Sequence, residues 1–375
     1  MENIPFLRAS TVPVIEYLEE LKEIDTSHIY TNYGPINQRF EEIIMSDFFQ
    51  NRGAVTTVAN ATLGLMAAIQ LKKRKKGKYA LMPSFTFPAT PLAAIWCGLE
   101  PYFIDISIDD WYMDKTVLLD KIEELKEEVA IVVPYATFGS WNLEEYEELE
   151  KRGVPVVVDA APGFGLMNGS MHYGQDFSGM IVYSFHATKP FGIGEGGLIY
   201  SKKEEDIQRI KRMGNFGFDK NRECTMMGFN CKMSEYAAAV GIATMKKWNQ
   251  KLKERTRISE WYKQLLQSNG LMKKGWKLQK TEAVIQQFMP ILCPEEVHNI
   301  QVIEELKKQK IEARLYFSPS CHQQVLFRTY KSTDLIETNK IAKRIVSLPL
   351  WEGMTKEIVE QIVICLGQKV VSADE

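Results

Sequence analysis

Between Thr56 and Tyr200 the chain alternates short runs, apolar at nearly every position, with segments long enough for helices. "KYALMPSFTF", "EPYFIDI", "VAIVVPYATFG", "VPVVVDAAPGFG", "SGMIVYSF" and "GGLIYS" carry the runs. "PLAAIWCGL" and "TVLLDKIEELKEE" are helix-like segments among them. A strand with one face in water alternates apolar and polar residues. These runs do not, so both faces of their sheet must be covered. Parallel neighbours need a crossover of a dozen or more residues, which the intervening helices supply. The pattern predicts an α/β fold with a mostly parallel central sheet between helices.

Around Asn249 the texture changes. "MKKWNQKLKERTRISEWYKQLLQSNG" predicts a long, charged amphipathic helix that leads out of the sheet unit. Beyond it lie strand-like "QQFMPILC", helical "VHNIQVIEELKKQK", then "IEARLYF" and a final helix near Thr355–Gly367. They predict a smaller α+β unit. A chain of 375 residues suits two such units, divided as residues 1–245 and 246–375.

The formal charge of −2 gives no electrostatic attraction for a nucleic acid. No apolar run reaches the roughly 18–20 residues of a membrane span. "MENIPFLRAS" lacks the basic-then-apolar order of a signal peptide, so the expected location is cytoplasmic. The cysteines show no C-x-x-C and the histidines no H-x-H or H-x-x-x-H, so no metal site is expected.

Ligands of open parallel sheets bind outside the carboxyl ends of the strands. Three such ends carry unusual residues. Asp159 follows an all-apolar run, and Ser184 and Lys189 follow another in "VYSFHATKPFGIGEGGLIY". The small turn Asn60-Ala61-Thr62 precedes a helix, where exposed N–H groups and the helix dipole favour an anion. Each has an ordinary reading: a helix cap, a solvated lysine, a plain helix start, a glycine turn. Together they suggest pyridoxal phosphate. Its aldehyde requires a lysine, its ring nitrogen a carboxylate, and its phosphate a cradle. A lysine in a partly desolvated pocket favours the neutral, nucleophilic amine. Glycines after Lys189 would let the backbone turn tightly beside the ring.

These residues extend into longer motifs: "YTNYGPINQRFEE", "NATLGLMAAI", "PSFTFPATPLAAIWCGLEPYFIDI", "SFHATKPFGIGEGG", "GFNCKMSEYAAAVG" and "IVSLPLWEGMT". Through most of its length the chain resembles the DegT/DnrJ/StrS sugar-nucleotide aminotransferases. Those are pyridoxal-phosphate enzymes of the aspartate-aminotransferase fold, fold type I. The resemblance implies that Lys189 carries the cofactor as a Schiff base and that Asp159 pairs with the ring nitrogen. It implies that Ala61 and Thr62 hold the phosphate through backbone N–H groups, that Ser184 adds a hydroxyl, and that Phe87 stacks on the ring. It puts Asn230 across a homodimer interface, against the other subunit's phosphate. His186 has two readings, a residue lining the sugar site and a packed, hydrogen-bonded histidine.

Two positions depart from the family's pattern. Pro162 stands where Asp-Ala-Ala-Gln has its glutamine. Proline has no N–H, so one polar contact near the cofactor is lost or supplied by another residue. Ala61 stands where glycine is common. Related dehydratases have histidine in place of the lysine, so Lys189 favours transamination. The implied reaction moves an amino group from L-glutamate to a nucleotide-linked keto-deoxysugar. The foremost substrate is dTDP-4-keto-6-deoxy-D-glucose, aminated to a 4-amino-4,6-dideoxy sugar for O-antigen of lipopolysaccharide or another surface polysaccharide. A 3-keto sugar and UDP- or GDP-linked sugars are alternatives. A non-catalytic regulatory protein of the same fold is another, against which Lys189, Asp159 and Ser184 all count. A nicotinamide dehydrogenase would need G-x-G-x-x-G after its first strand, and that is missing.

Overall fold

The computed structural model describes residues 3–369. Helices α1 (Leu18–Ser27) and α2 (Pro35–Phe49) precede β1 (Ala54–Val58), and α3 (Ala61–Lys72) follows it. Next come β2 (Tyr79–Pro83), α4 (Ala89–Trp96), β3 (Glu100–Ile104), α5 (Lys115–Leu125) and β4 (Val129–Val132). Helix α6 (Glu144–Lys151) leads to β5 (Val157–Asp159), and a small hairpin of β6 (Met167–Asn168) and β7 (Met171–His172) follows. Strands β8 (Met180–Ser184) and β9 (Gly197–Ser201) and helix α7 (Glu204–Met213) complete the sheet unit.

The strands run in the order β3-β2-β4, then β5-β8-β9-β1. The two ladders join where the continuation of β4 lies parallel to β5, pairing Val132 with Val156 and Tyr135 with Asp159. The Asp159 N–H donates to the Pro134 carbonyl at 2.8 Å, and the Ala136 N–H to the Asp159 carbonyl at 2.9 Å. Pro134 and Pro155 bring no donors to this seam, so its bonds come from their neighbours' N–H groups. Every neighbouring pair is parallel except those of β9, which is antiparallel to β8 and β1.

The sheet is covered on both faces, as the unbroken apolar runs require. Ala80, Met82, Val157, Val182 and Ile199 enter one core with residues of α3, α4 and α7. Their neighbours Leu81, Val158, Ile181 and Leu198 enter the other with Ile36, Phe40 and Ile44 of α2. The period of two in side-chain direction sorts each strand between the two cores.

Helix α8 (Glu235–Ser268) begins at Glu235 rather than at Met245, with Ser234 capping it through the Ala237 N–H. The division at 245/246 therefore falls inside one continuous helix. Ala238, Ala239 and Ile242 pack in the sheet unit, and Ile258, Tyr262 and Leu266 in a second core. That core holds β10 (Met289–Leu292), α9 (Asn299–Lys308), β11 (Ile345–Leu348) and α11 (Lys356–Lys369). A short helix, α10 (Ile336–Ala342), precedes β11. The amino-terminal residue Ile4 joins the same core and pairs with Ile311. Phe6, Phe85, Phe138, Phe288 and Phe317 form an aromatic cluster where the two units meet. Among the described residues, no helix is long and apolar enough to cross a membrane.

Gly241 links this packing to the loop after β8. A Cβ there would lie 2.5 Å from the Phe40 ring. Phe40 in turn touches Phe185 and Phe191, with ring centroids 6.0 and 6.3 Å away. Alanine would gain about 0.8–1 kcal/mol of helix propensity over glycine. Crowding in a filled core costs about 1–3 kcal/mol, and that effect is the larger. Gly241→Ala is expected to lower the thermal midpoint, read by circular dichroism. An unchanged or raised midpoint would contradict this packing account.

Candidate active site

The carboxyl ends of β1, β2, β5 and β8 lie on one edge of the sheet, and each carries a polar element. After β1, Asn60 caps α3: its Oδ1 accepts the Leu63 N–H at 2.9 Å and its carbonyl the Gly64 N–H at 3.1 Å. The N–H groups of Ala61 and Thr62, first in the helix, have no intrahelical partner. Gly197 of β9 sits between Val58 and Ser184, and a Cβ on it would lie 2.9 Å from the Ala61 nitrogen. Glycine therefore lets β9 close against the helix terminus. Ser184 is buried, and its Oγ accepts the His186 N–H at 3.3 Å. Its proton is left for another acceptor. The turn and the hydroxyl thus flank Gly197, and their donors suit an anion.

The loop from Phe185 to Gly196 is cross-tied: Ala187 N–H to the Gly194 carbonyl at 2.7 Å, Ile193 N–H to the Phe185 carbonyl at 2.9 Å. Gly194 has φ of +105°, which side chains disfavour, and a Cβ on Gly192 would meet the Ala187 carbonyl oxygen at 2.8 Å. The glycines thus fold the loop back on itself, and Lys189 projects from its bend. Its Nζ donates to Gln287 Oε1 at 3.1 Å. Burial pushes its pKa down to about 8, while the negative charge of Asp159 acts in the opposite direction.

Asp159 is 2% exposed. Its Oδ2 accepts the Thr90 hydroxyl at 2.6 Å and its Oδ1 the Ala161 N–H at 3.1 Å. Thr90 spends its proton on Asp159, so Thr86, 2.9 Å away, donates to Thr90. Burial raises the carboxyl pKa; the Thr90 and Ala161 bonds and the Lys189 charge oppose it. No cation pairs directly with this carboxylate among the described residues. A buried charge with only neutral donors is poorly compensated, and a protonated ring nitrogen would compensate it.

The other residues singled out in the sequence lie as follows. Phe87, between β2 and α4, is 54% exposed. Both ring nitrogens of His186 face its own loop: Nδ1 accepts the Thr188 N–H at 3.2 Å, and Nε2 lies 3.6 Å from Glu195. Asn230 is exposed and its backbone pairs with Asn215. The neighbouring Cys231 carbonyl accepts the Ala59 N–H at 2.7 Å, beside the chain's own helix terminus. Pro162 is buried in the turn that follows Asp159. Sequence reasoning missed Thr90 and Gln287. Thr90 offered a signal, a hydroxyl at the start of a helix at a strand's carboxyl end. Gln287 offered none, because it reaches the lysine from a distant stretch of chain.

The sequence pattern of the DegT/DnrJ/EryC1/StrS aminotransferase family matches residues 14–367. The chain belongs to this family. It is an aminotransferase, and its cofactor is pyridoxal phosphate. Among curated relatives, Protein Mb3436c of Mycobacterium bovis is 32% identical over 99% of this chain and 91% of its own length. The Escherichia coli dTDP-4-amino-4,6-dideoxy-D-glucose transaminase is 29% identical over 96% of this chain and 97% of its own. Among crystal structures, a Bacillus cereus ATCC 10987 protein inferred to be a PLP-dependent aminotransferase is 94% identical. It has a TM-score of 0.97, covering 98% of this chain and 100% of its own. DesI, determined with its TDP-sugar product, is 25% identical with a TM-score of 0.84, over 97% and 94% of the two chains.

The anion site, the uncompensated carboxylate and the lysine fit pyridoxal phosphate. Hydrogen bonds to charged groups contribute about 1.5–3 kcal/mol each, so Thr90→Val should weaken cofactor retention by about tenfold or more. Thr90→Ser should restore it. Equilibrium dialysis of the two variants measures this, and wild-type retention in Thr90→Val would remove Thr90 from the cofactor's support.

Proposed function

We propose that this aminotransferase moves the amino group of L-glutamate to dTDP-4-keto-6-deoxy-D-glucose, yielding dTDP-4-amino-4,6-dideoxy-D-glucose. The observation that carries this reading is the end-to-end match to the Escherichia coli enzyme of that name, together with the retained lysine. A GDP- or UDP-linked keto sugar is the second reading. It is supported by the Vibrio cholerae GDP-perosamine synthase and a Campylobacter jejuni UDP-sugar transaminase, 24% and 25% identical.

When bound, pyridoxal phosphate would supply an electron sink and an amino-group carrier. The chain supplies the rest. Ala61 and Thr62 N–H groups and the Ser184 hydroxyl would hold the phosphate, Phe87 would cover the ring, and Asp159 would hold the proton on the ring nitrogen. Lys189 Nζ, neutral above a pKa of about 8, takes the proton from the donor's α-carbon and returns it as an ammonium. His186 braces the loop that carries the lysine. Asn230 completes the phosphate site of a second copy in a homodimer. The exposed Phe216, Met227 and Tyr236 around its segment support a protein interface there.

The decisive experiment incubates the purified protein with glutamate and a panel of dTDP-, UDP- and GDP-linked 3-keto and 4-keto sugars. The product is identified by NMR. The dTDP-4-amino product is expected to form fastest, and Lys189→Ala should reduce it at least about a thousandfold. Faster amination of a GDP-, UDP- or 3-keto sugar would overturn the substrate assignment.

Shared sites have their own test. Lys189→Ala and Asn230→Ala subunits, each inactive alone, should regain activity on mixing, because one site per mixed dimer keeps both side chains. If exchange is verified by mass spectrometry and no activity returns, Asn230 acts within its own chain, beside the Ala59–Cys231 bond.

A further inference from the structure

We propose that Gln287 is a positioning residue for the Lys189 amine, and that buried Arg255 fixes Gln287 in place. The inference rests on Lys189 as the proton carrier. A lysine that moves a proton must point in one direction while free, yet its four-carbon stem is flexible. The Gln287 Oε1, 3.1 Å from Nζ, is the hydrogen-bond acceptor that the amine meets.

Gln287 is not a loose side chain. Arg255 of α8 is buried, and its guanidinium clamps the backbone on both sides of the residue. It donates to the Gln286 carbonyl at 3.1 and 2.7 Å, to the Gln287 carbonyl at 2.7 Å and to the Leu350 carbonyl at 3.2 Å. The remaining arm pairs with Glu352 at 2.9 Å. Ser259, one turn along α8, donates to the Gln286 side chain at 2.5 Å. Planar and forked, the guanidinium joins three stretches of chain in one rigid patch. Phe288 then enters the aromatic cluster where the two units meet. The segment is anchored before and after the one side chain that reaches the lysine.

The charged groups around Lys189 are few. Asp159 acts on it from β5. His186 and Glu195 of its own loop face each other, and Arg255 spends its donors on the clamp. A change at position 287 should therefore register directly in the titration of the amine.

The test uses the full chain with cofactor removed, so that Lys189 is free. A limiting amine-acylating reagent labels it across a pH series, and peptide mass spectrometry reads the midpoint. The wild type should titrate at about 8. Gln287→Glu places a carboxylate at the amine and should raise the midpoint by about one unit or more. Gln287→Met removes the acceptor and should lower it. In the holoenzyme, the acidic limb of the glutamate half-reaction should move in the same directions. For Gln287→Met, kcat should fall roughly ten- to hundredfold with little change in KM. Midpoints at the wild-type value in both folded variants would overturn the proposal. A shifted midpoint in a protein that aminates no sugar would uphold it, and the failure would then belong to the substrate reading.

Discussion

The structure depends on one buried carboxylate. Asp159 lies at the seam between the two halves of the sheet, where its backbone N–H and carbonyl make ladder bonds to the β4 continuation. Its side chain, turned to the carboxyl edge, meets a hydroxyl and an amide and, among the described residues, no paired cation. Two charge-assisted bonds contribute about 3–6 kcal/mol together, comparable with the several kcal/mol of removing the ion from water. The balance is close, and burial still raises the pKa. A site balanced in this way gains strongly from a bound ring cation. The same residue thus joins the sheet and creates the electrostatic demand for the cofactor.

Around it the fold converts packing into placement. Gly194 and Gly192 turn the loop after β8 so that a lysine emerges at its bend. Phe40, admitted by Gly241, backs that loop through Phe185 and Phe191. On the other side, Ser84 at the end of β2 bonds His322 Nδ1 at 2.7 Å, and the His322 N–H returns to the same hydroxyl at 3.0 Å. That ties the loop bearing Phe87 to the segment between α9 and α10. Helix α8 runs through both units, so Arg255 acts on the site from the far core. The lysine's lowered pKa follows from this enclosure, because each packed wall removes water that would stabilise the ammonium.

The apolar runs determined the fold class, because a strand buried on both faces leaves no polar positions and must be covered twice. The strand-end placement of Asp159, Ser184 and Lys189 and the turn at Ala61 and Thr62 were legible for a related reason. Hydrogen bonding confines each to a short stretch, and a short stretch is readable in order along the chain. The sequence by itself also marked the glycines after Lys189 as a backbone requirement. Tertiary structure decided what distant segments contribute. Thr90 and Asp159 are 69 residues apart, and Lys189 and Gln287 98 apart. No local periodicity specifies such pairs; the register of the sheet and the path of α8 bring them together. The start of α8 was decided the same way. Its alanine-rich first turns carry little charge to mark them; Ser234 caps them locally, but it is burial against α2, present only once the chain has folded, that holds them.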